Sequence, residues 1–135
     1  MASKAFISVD MEGISGVVHG DHTGRSGQDY ELARRLMTLE ANAAIEGAFE
    51  GGADEVVVND SHGTMRNLLP ELLDQRAALI TGSPKPLAMM AGLDGSFDAA
   101  LCVGYHGRAG TRGILDHTIH GGVVHDIRIN GESSK

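Results

Sequence analysis

Three short segments carry the side chains best suited to chemistry. Asp10 and Glu12 close the apolar run Ala5-Phe6-Ile7-Ser8-Val9 and are followed by Gly13, Ser15 and Gly16. Asp60 and His62 close the β-branched run Glu55-Val56-Val57-Val58-Asn59 in the same manner, and His106 follows the run Ala99 to Val103. A glycine comes directly after each: Gly13, Gly63 and Gly107. Carboxylates and imidazoles together form a donor set that suits zinc or another borderline divalent ion, whereas an all-oxygen set would favour magnesium or calcium. Side chains two apart on an extended segment point to the same side, so Asp10 and Glu12 can reach one ion or a closely spaced pair. Bland explanations stand beside this one. Strand ends are commonly acidic, loop histidines are usually hydrogen-bonded rather than ligating, and Asp60 is best read as capping the turn that follows it. The coincidence of three loaded strand ends is what favours a site.

Something must bring those ends together, and the intervening pattern supplies it. Ser26 and Asp29 read as a capping box. From about Gln28 to Glu50 a helix follows, with Leu32, Leu36, Leu39 and Ala43 as its apolar stripe, widened by Met37, Ala41, Ile45 and Ala48. Gly51-Gly52 stops it. A strand, a helix and a second continuous apolar strand make a βαβ unit with a buried parallel sheet. One or two helical turns are expected between Met65 and Leu73, where Pro70 prevents more. Ala77 to Thr81 reads as a third strand, Leu87 to Leu93 as a short helix and Ala99 to Val103 as a fourth strand. Val123 to Ile129 reads as a half-buried strand leading into the strong turn signal Asn130-Gly131. The expected fold class is therefore α/β, with a mostly parallel central sheet flanked by helices. In such a sheet ligands gather beyond the carboxyl ends of the strands, which places the metal site at that edge.

Composition narrows the possible partners. The 135 residues suffice for one domain with a real core. A hydrophobic content of 41% with 21% charged residues is that of a globular chain rather than a disordered one. The formal net charge of −7 argues against nucleic acid or an anionic membrane as partner. Cys102, the only cysteine, cannot form an internal disulfide, and no signal-peptide layout or membrane-length apolar run is present. The expected location is the cytoplasm. Tyr105 is expected to pack, and the histidines at 19, 22, 120 and 125 have no spacing that fixes a role.

The segments SVDMEGISG, VVNDSHG and GYHGRAG, with Leu115-Asp116-His117-Thr118 downstream, resemble the signatures of bacterial D-aminopeptidases of the DppA type. The likeness runs over essentially the whole chain in the same order. It implies a dinuclear zinc peptidase, with two Zn2+ ions per subunit, that removes D-amino acids from the amino termini of short peptides, in a homo-oligomer. Carried over by position, Asp10 matches the carboxylate bridging the two ions and Glu12 a ligand of one of them. His106 would complete that ion's shell and His62 would bind the second. His117, eleven residues beyond His106, matches the catalytic histidine. Imidazole titrates nearest neutral pH and can pass a proton to a leaving amine. A two-metal centre lowers the pKa of bound water and clamps a developing oxyanion, so metal-activated water with histidine assistance is the favoured mechanism.

One departure accompanies the likeness. The family supplies a further zinc-binding glutamate beyond the strand at Val123 to Ile129 and then continues. Glu132 lies too close to the Asn130-Gly131 turn to match that residue. Residues 1–135 are accordingly expected to form one α/β domain, the N-terminal half of a longer family-type chain. The alternative function is a catalytically silent metal-binding domain.

Overall fold

The computed structural model describes residues 2–120, 124 and 126–133. Its centre is β1 (Lys4–Val9), which pairs in parallel with β2 (Glu55–Asp60) on one side and β4 (Ala99–Val103) on the other. A short β3 (Ala78–Ile80) pairs in parallel with the outer side of β2, giving the order β3-β2-β1-β4. The α/β class with a parallel central sheet is therefore observed. All four strands run one way, so residues following β1, β2 and β4 emerge at a common edge. The register fixes this closely: Val9 lies opposite both Asp60 and Val103.

A strand buried on both faces needs apolar side chains on both, and β1 meets that need. Ala5, Ile7 and Val9 join the main core with Val56 and Val58. Phe6 faces the other way and meets Phe97 edge to face, with ring centroids 5.6 Å apart. Ser8 lies on that second face too, as does Asp10 beyond the strand end.

The crossover helix α2 (Tyr30–Glu50) covers the main core. Its buried stripe is Ala33, Met37, Ala41 and Ile45, one helical turn apart, whereas Leu32 and Leu39 are 52% and 55% exposed. The widening residues thus form the centre of the packing face; of the leucines expected to lead the stripe, Leu36 packs at its margin while Leu32 and Leu39 point outward. Small alanines let the helix approach the sheet closely, a preference that a leucine count does not register. Nor does the capping box form. The N-cap is Asp29, without a side-chain cap bond, and the preceding chain makes a turn through Tyr30 N–H to the Gly27 carbonyl. A four-residue helix, α1 (Gly20–Thr23), lies between β1 and α2, with His19 as N-cap accepting from Asp21 N–H.

Residues 65–73 hold no helix. Their backbone is taken up by other partners. Asp60 Oδ2 accepts from Asn67 and Leu68 N–H, Thr38 Oγ1 from Leu69 N–H, and Leu72 O from Asn42 of α2. The helix expected over Leu87 to Leu93 is only a 3-10 turn, Ala88–Met90. The strand expected over Val123 to Ile129 is reduced to β5 (Arg128–Ile129), which pairs with β6 (Glu132–Ser133). Positions 123 and 125 lie outside the described residues. Asn130 and Gly131 both take positive φ, 53° and 87°, as a two-residue hairpin turn requires. Among the described residues no helix is long and apolar enough to cross a membrane.

Candidate metal centre

The loops leaving β1 and β4 are interlocked. Asp10 N–H donates to Val103 O and Gly13 N–H to Gly104 O. A Cβ on Gly13 would overlap the Tyr105 carbonyl, and one on Gly104, whose φ is +66°, would overlap the Asp10 carbonyl. Only glycines permit this approach, and it sets Glu12 beside His106. From the other side Ser61 N–H donates to Val9 O, carrying His62 toward the same place.

Asp10, Glu12, His62, His106 and His117 consequently line one cavity of about 360 Å³. Asp10 addresses two imidazoles with different oxygens: Oδ1 lies 3.3 Å from His62 Nδ1, and Oδ2 lies 3.5 Å from His106 Nε2. Glu12 Oε2 is 2.9 Å from the same His62 Nδ1. Donors bound to one tetrahedral zinc at about 2.0–2.1 Å lie roughly 3.3 Å apart, close to both Asp10 separations. Two donor groups result, Asp10-Glu12-His62 and Glu12-His106-His117, each compact enough for one ion. The chemistry of these donors fits zinc.

Backbone carbonyls fix each ring. A carbonyl only accepts, so the ring nitrogen facing it carries the proton. His62 Nε2 donates to Thr23 O at the end of α1, turning Nδ1 to the acids. His106 Nδ1 donates to Gly107 O, leaving Nε2 for Asp10. His117 Nδ1 donates to Leu115 O and leaves Nε2 available. Outer-shell bonds of this kind set the tautomer and ring orientation in metal centres.

The electrostatics favour positive charge at this point. Burial pushes the Asp10 carboxyl above its ordinary value, against the hydrogen bond from His62. Burial also works against Glu12 ionisation, but the His62 hydrogen bond and charge outweigh it and take Glu12 down to about 2. For His62 burial opposes protonation, yet bonds to Asp10 and Glu12 prevail and raise it to about 10. A proton and a divalent cation would compete for the same atoms.

Asp60 is not part of the cluster. Fully buried, it accepts from the backbone of Asn67 and Leu68 and from Asn67 Nδ2, the capping role read for it above. Asn67 Nδ2 also donates to His62 O, and its Oδ1 accepts from Tyr30 OH. Sequence reasoning passed over Asn67 and Tyr30. It also passed over Ser8, whose hydroxyl bonds Ser61, Tyr105 OH and Met89 O beneath the cavity. Single polar residues inside apolar runs were the available signal. Tyr105 packs, as expected, with its hydroxyl in that network. Glu132 is exposed on β6 and belongs to neither donor group; His125 lies outside the described residues.

Comparison with known proteins identifies the family. The D-aminopeptidase family (Peptidase_M55) matches residues 3–135. The chain belongs to that family. A D-aminopeptidase of Bacillus subtilis (strain 168) is 48% identical over 122 residues, covering 90% of this chain and 44% of the relative. The solved structure of the Zn-dependent D-aminopeptidase DppA from Bacillus subtilis, described as a self-compartmentalizing protease, superposes with a TM-score of 0.92 at 45% identity. It covers 96% of this chain and 47% of its own. The chain therefore spans less than half the length of these relatives.

Proposed function

We propose that the chain carries the metal centre of a zinc-dependent aminopeptidase that hydrolyses short peptides bearing an N-terminal D-amino acid. The observation that carries this reading is the split of Asp10, one oxygen toward His62 and the other toward His106. A carboxylate so placed would serve two ions, in keeping with the zinc dependence of the Bacillus subtilis relative. In the proposal Asp10 would be shared between them, Glu12 and His106 would hold one ion, and His62 would hold the other. Bound there, zinc would supply activated water and a clamp for charge developing on the scissile carbonyl oxygen.

The chain's own residues do the remaining work. Thr23 O and Gly107 O keep His62 and His106 in the tautomers that aim a lone pair inward. His117, stacked on His106 with its Nδ1–H held by Leu115 O, would take a proton from the attacking water at Nε2 and pass that proton to the leaving amine. Residues 1–135 act as one α/β unit, and assembly into a homo-oligomer follows the self-compartmentalizing relative.

A second reading is a metal-binding α/β domain without catalysis, which the same donor groups would serve. Zinc content by elemental analysis, combined with hydrolysis of D-Ala-D-Ala and L-Ala-L-Ala, separates the two. About two zinc ions and selective cleavage of the D-peptide support the peptidase; zinc without cleavage supports the silent domain. A chain that takes up no zinc sinks both.

A further inference from the structure

We propose that Arg108 forms a carboxylate-binding end of the same cavity and so selects short peptides with a free C-terminal carboxylate; this rests on the peptidase reading above. Among the described residues Arg108 is the only Lys or Arg lining the cavity, with Glu12, His106 and His117. The backbone around it is tied down on both sides. Gly107 O accepts from His117 N–H, Arg108 O from Thr111 N–H and its hydroxyl, Ala109 N–H donates to Thr118 Oγ1, and Gly110 N–H donates to Asp116 Oδ2. The main chain at this position is thus fixed by its neighbours while the guanidinium has no carboxylate partner among the described residues. The nearby acids Asp10 and Glu12 are directed at His62 and His106 instead.

The chemistry that fits this position follows from size and charge. A guanidinium presents a planar fork that takes a carboxylate through two parallel hydrogen bonds. A cavity of about 360 Å³ admits only a small ligand. With the scissile carbonyl at the donor groups, a dipeptide places its carboxylate one residue further on, within about 7 Å. Longer peptides carry it past the fork. The chain as a whole has a formal charge of −7, which repels an anionic end unless a local cation offsets it. Arg108 supplies such a cation from the cavity wall, apart from the ions that the donor groups would hold. Met89 and Ile119 supply apolar wall on the same cavity and can pair with no anion.

The test compares D-Ala-D-Ala with its C-terminal amide on the zinc-loaded chain and on Arg108→Gln and Arg108→Lys. Turnover is one readout. The other is equilibrium binding, by calorimetry, of the uncleavable analogues in which the peptide bond is reduced to methyleneamine, as acid and as amide. Arg108→Gln should raise KM and the analogue's Kd about tenfold for the acid, with kcat within about twofold and the amide unaffected. Arg108→Lys should recover part of the loss. Equal effects on acid and amide, or none on either, overturn the carboxylate site while leaving the peptidase reading in place. Discrimination between the analogues without any turnover supports the Arg108 site and overturns the peptidase reading. A parent chain that neither binds nor cleaves the acid overturns both.

Discussion

His106 and His117 lie face to face, ring centroids 3.8 Å apart with 19° between their planes. The contact joins one residue from the end of β4 to another eleven positions on, and it makes their roles separable by experiment. His117→Ala should lower turnover about 10²–10⁴-fold while zinc content stays at the parent level. If zinc is lost in that variant, His117 is a ligand completing the Glu12-His106 group, and its assignment to proton transfer fails.

Asp10 sits between both donor groups, so Asp10→Ala should remove both ions rather than one. Elemental analysis after dialysis checks this. A variant that retains one full equivalent shows that the two oxygens do not serve two metals.

Metal uptake should be coupled to protons. In the metal-free protein Asp10 and Glu12 raise His62 from 6.5 to about 10, so its contribution to stability is complete below 6.5 and is lost as pH rises through about 10. Glu12 is lowered from 4.5 to about 2, so its contribution is present above 4.5 and is lost as pH falls through about 2. Near neutral pH a cation entering the cluster must displace the His62 proton. Calorimetric zinc titrations in two buffers of different ionisation enthalpy should report release of about one proton, and affinity rising with pH. Uptake with no proton exchange contradicts the His62 assignment.

Asp60, fully buried, accepts from the backbone N–H groups of Asn67 and Leu68. Asp60→Ala should cost about 2–4 kcal/mol in urea unfolding, because buried donors are left unpaired. Asp60→Asn keeps an acceptor and should cost less, with zinc stoichiometry unchanged. Loss of a zinc ion from the asparagine variant at undiminished stability would place Asp60 among the ligands.

The orientation of α2 gives a contrast on stability alone. Met37→Ala, fully buried, should destabilise by about 2–5 kcal/mol. Leu39→Gln, on the exposed side, should stay within about 0.5 kcal/mol. Chemical denaturation of the two variants decides it, and comparable losses would contradict the helix orientation.

Much was legible in the linear pattern. Continuous apolar runs announced β1, β2 and β4, and in β1 and β2 they serve strands largely buried in the sheet. Their alternation with a long helix implied parallel pairing. Parallel pairing alone sends Asp10, Glu12, His62 and His106 to one edge, so their convergence could be read from residue order, whereas the exclusion of Asp60 and the place of His117 could not. Tertiary structure decided what depends on distance and partner choice. Packing against the sheet, which local periodicity does not fix, chose the face of Ala33, Met37, Ala41 and Ile45 over that of Leu32 and Leu39. Side chains of Asp60, Thr38 and Asn42 claimed the backbone of residues 65–73 that local propensity would have made helical. The split of Asp10 between two imidazoles, and the stacking of His117 on His106, arise from the close passage of Gly13 and Gly104. No spacing along the chain encodes contacts between loops that meet only after the strands have paired.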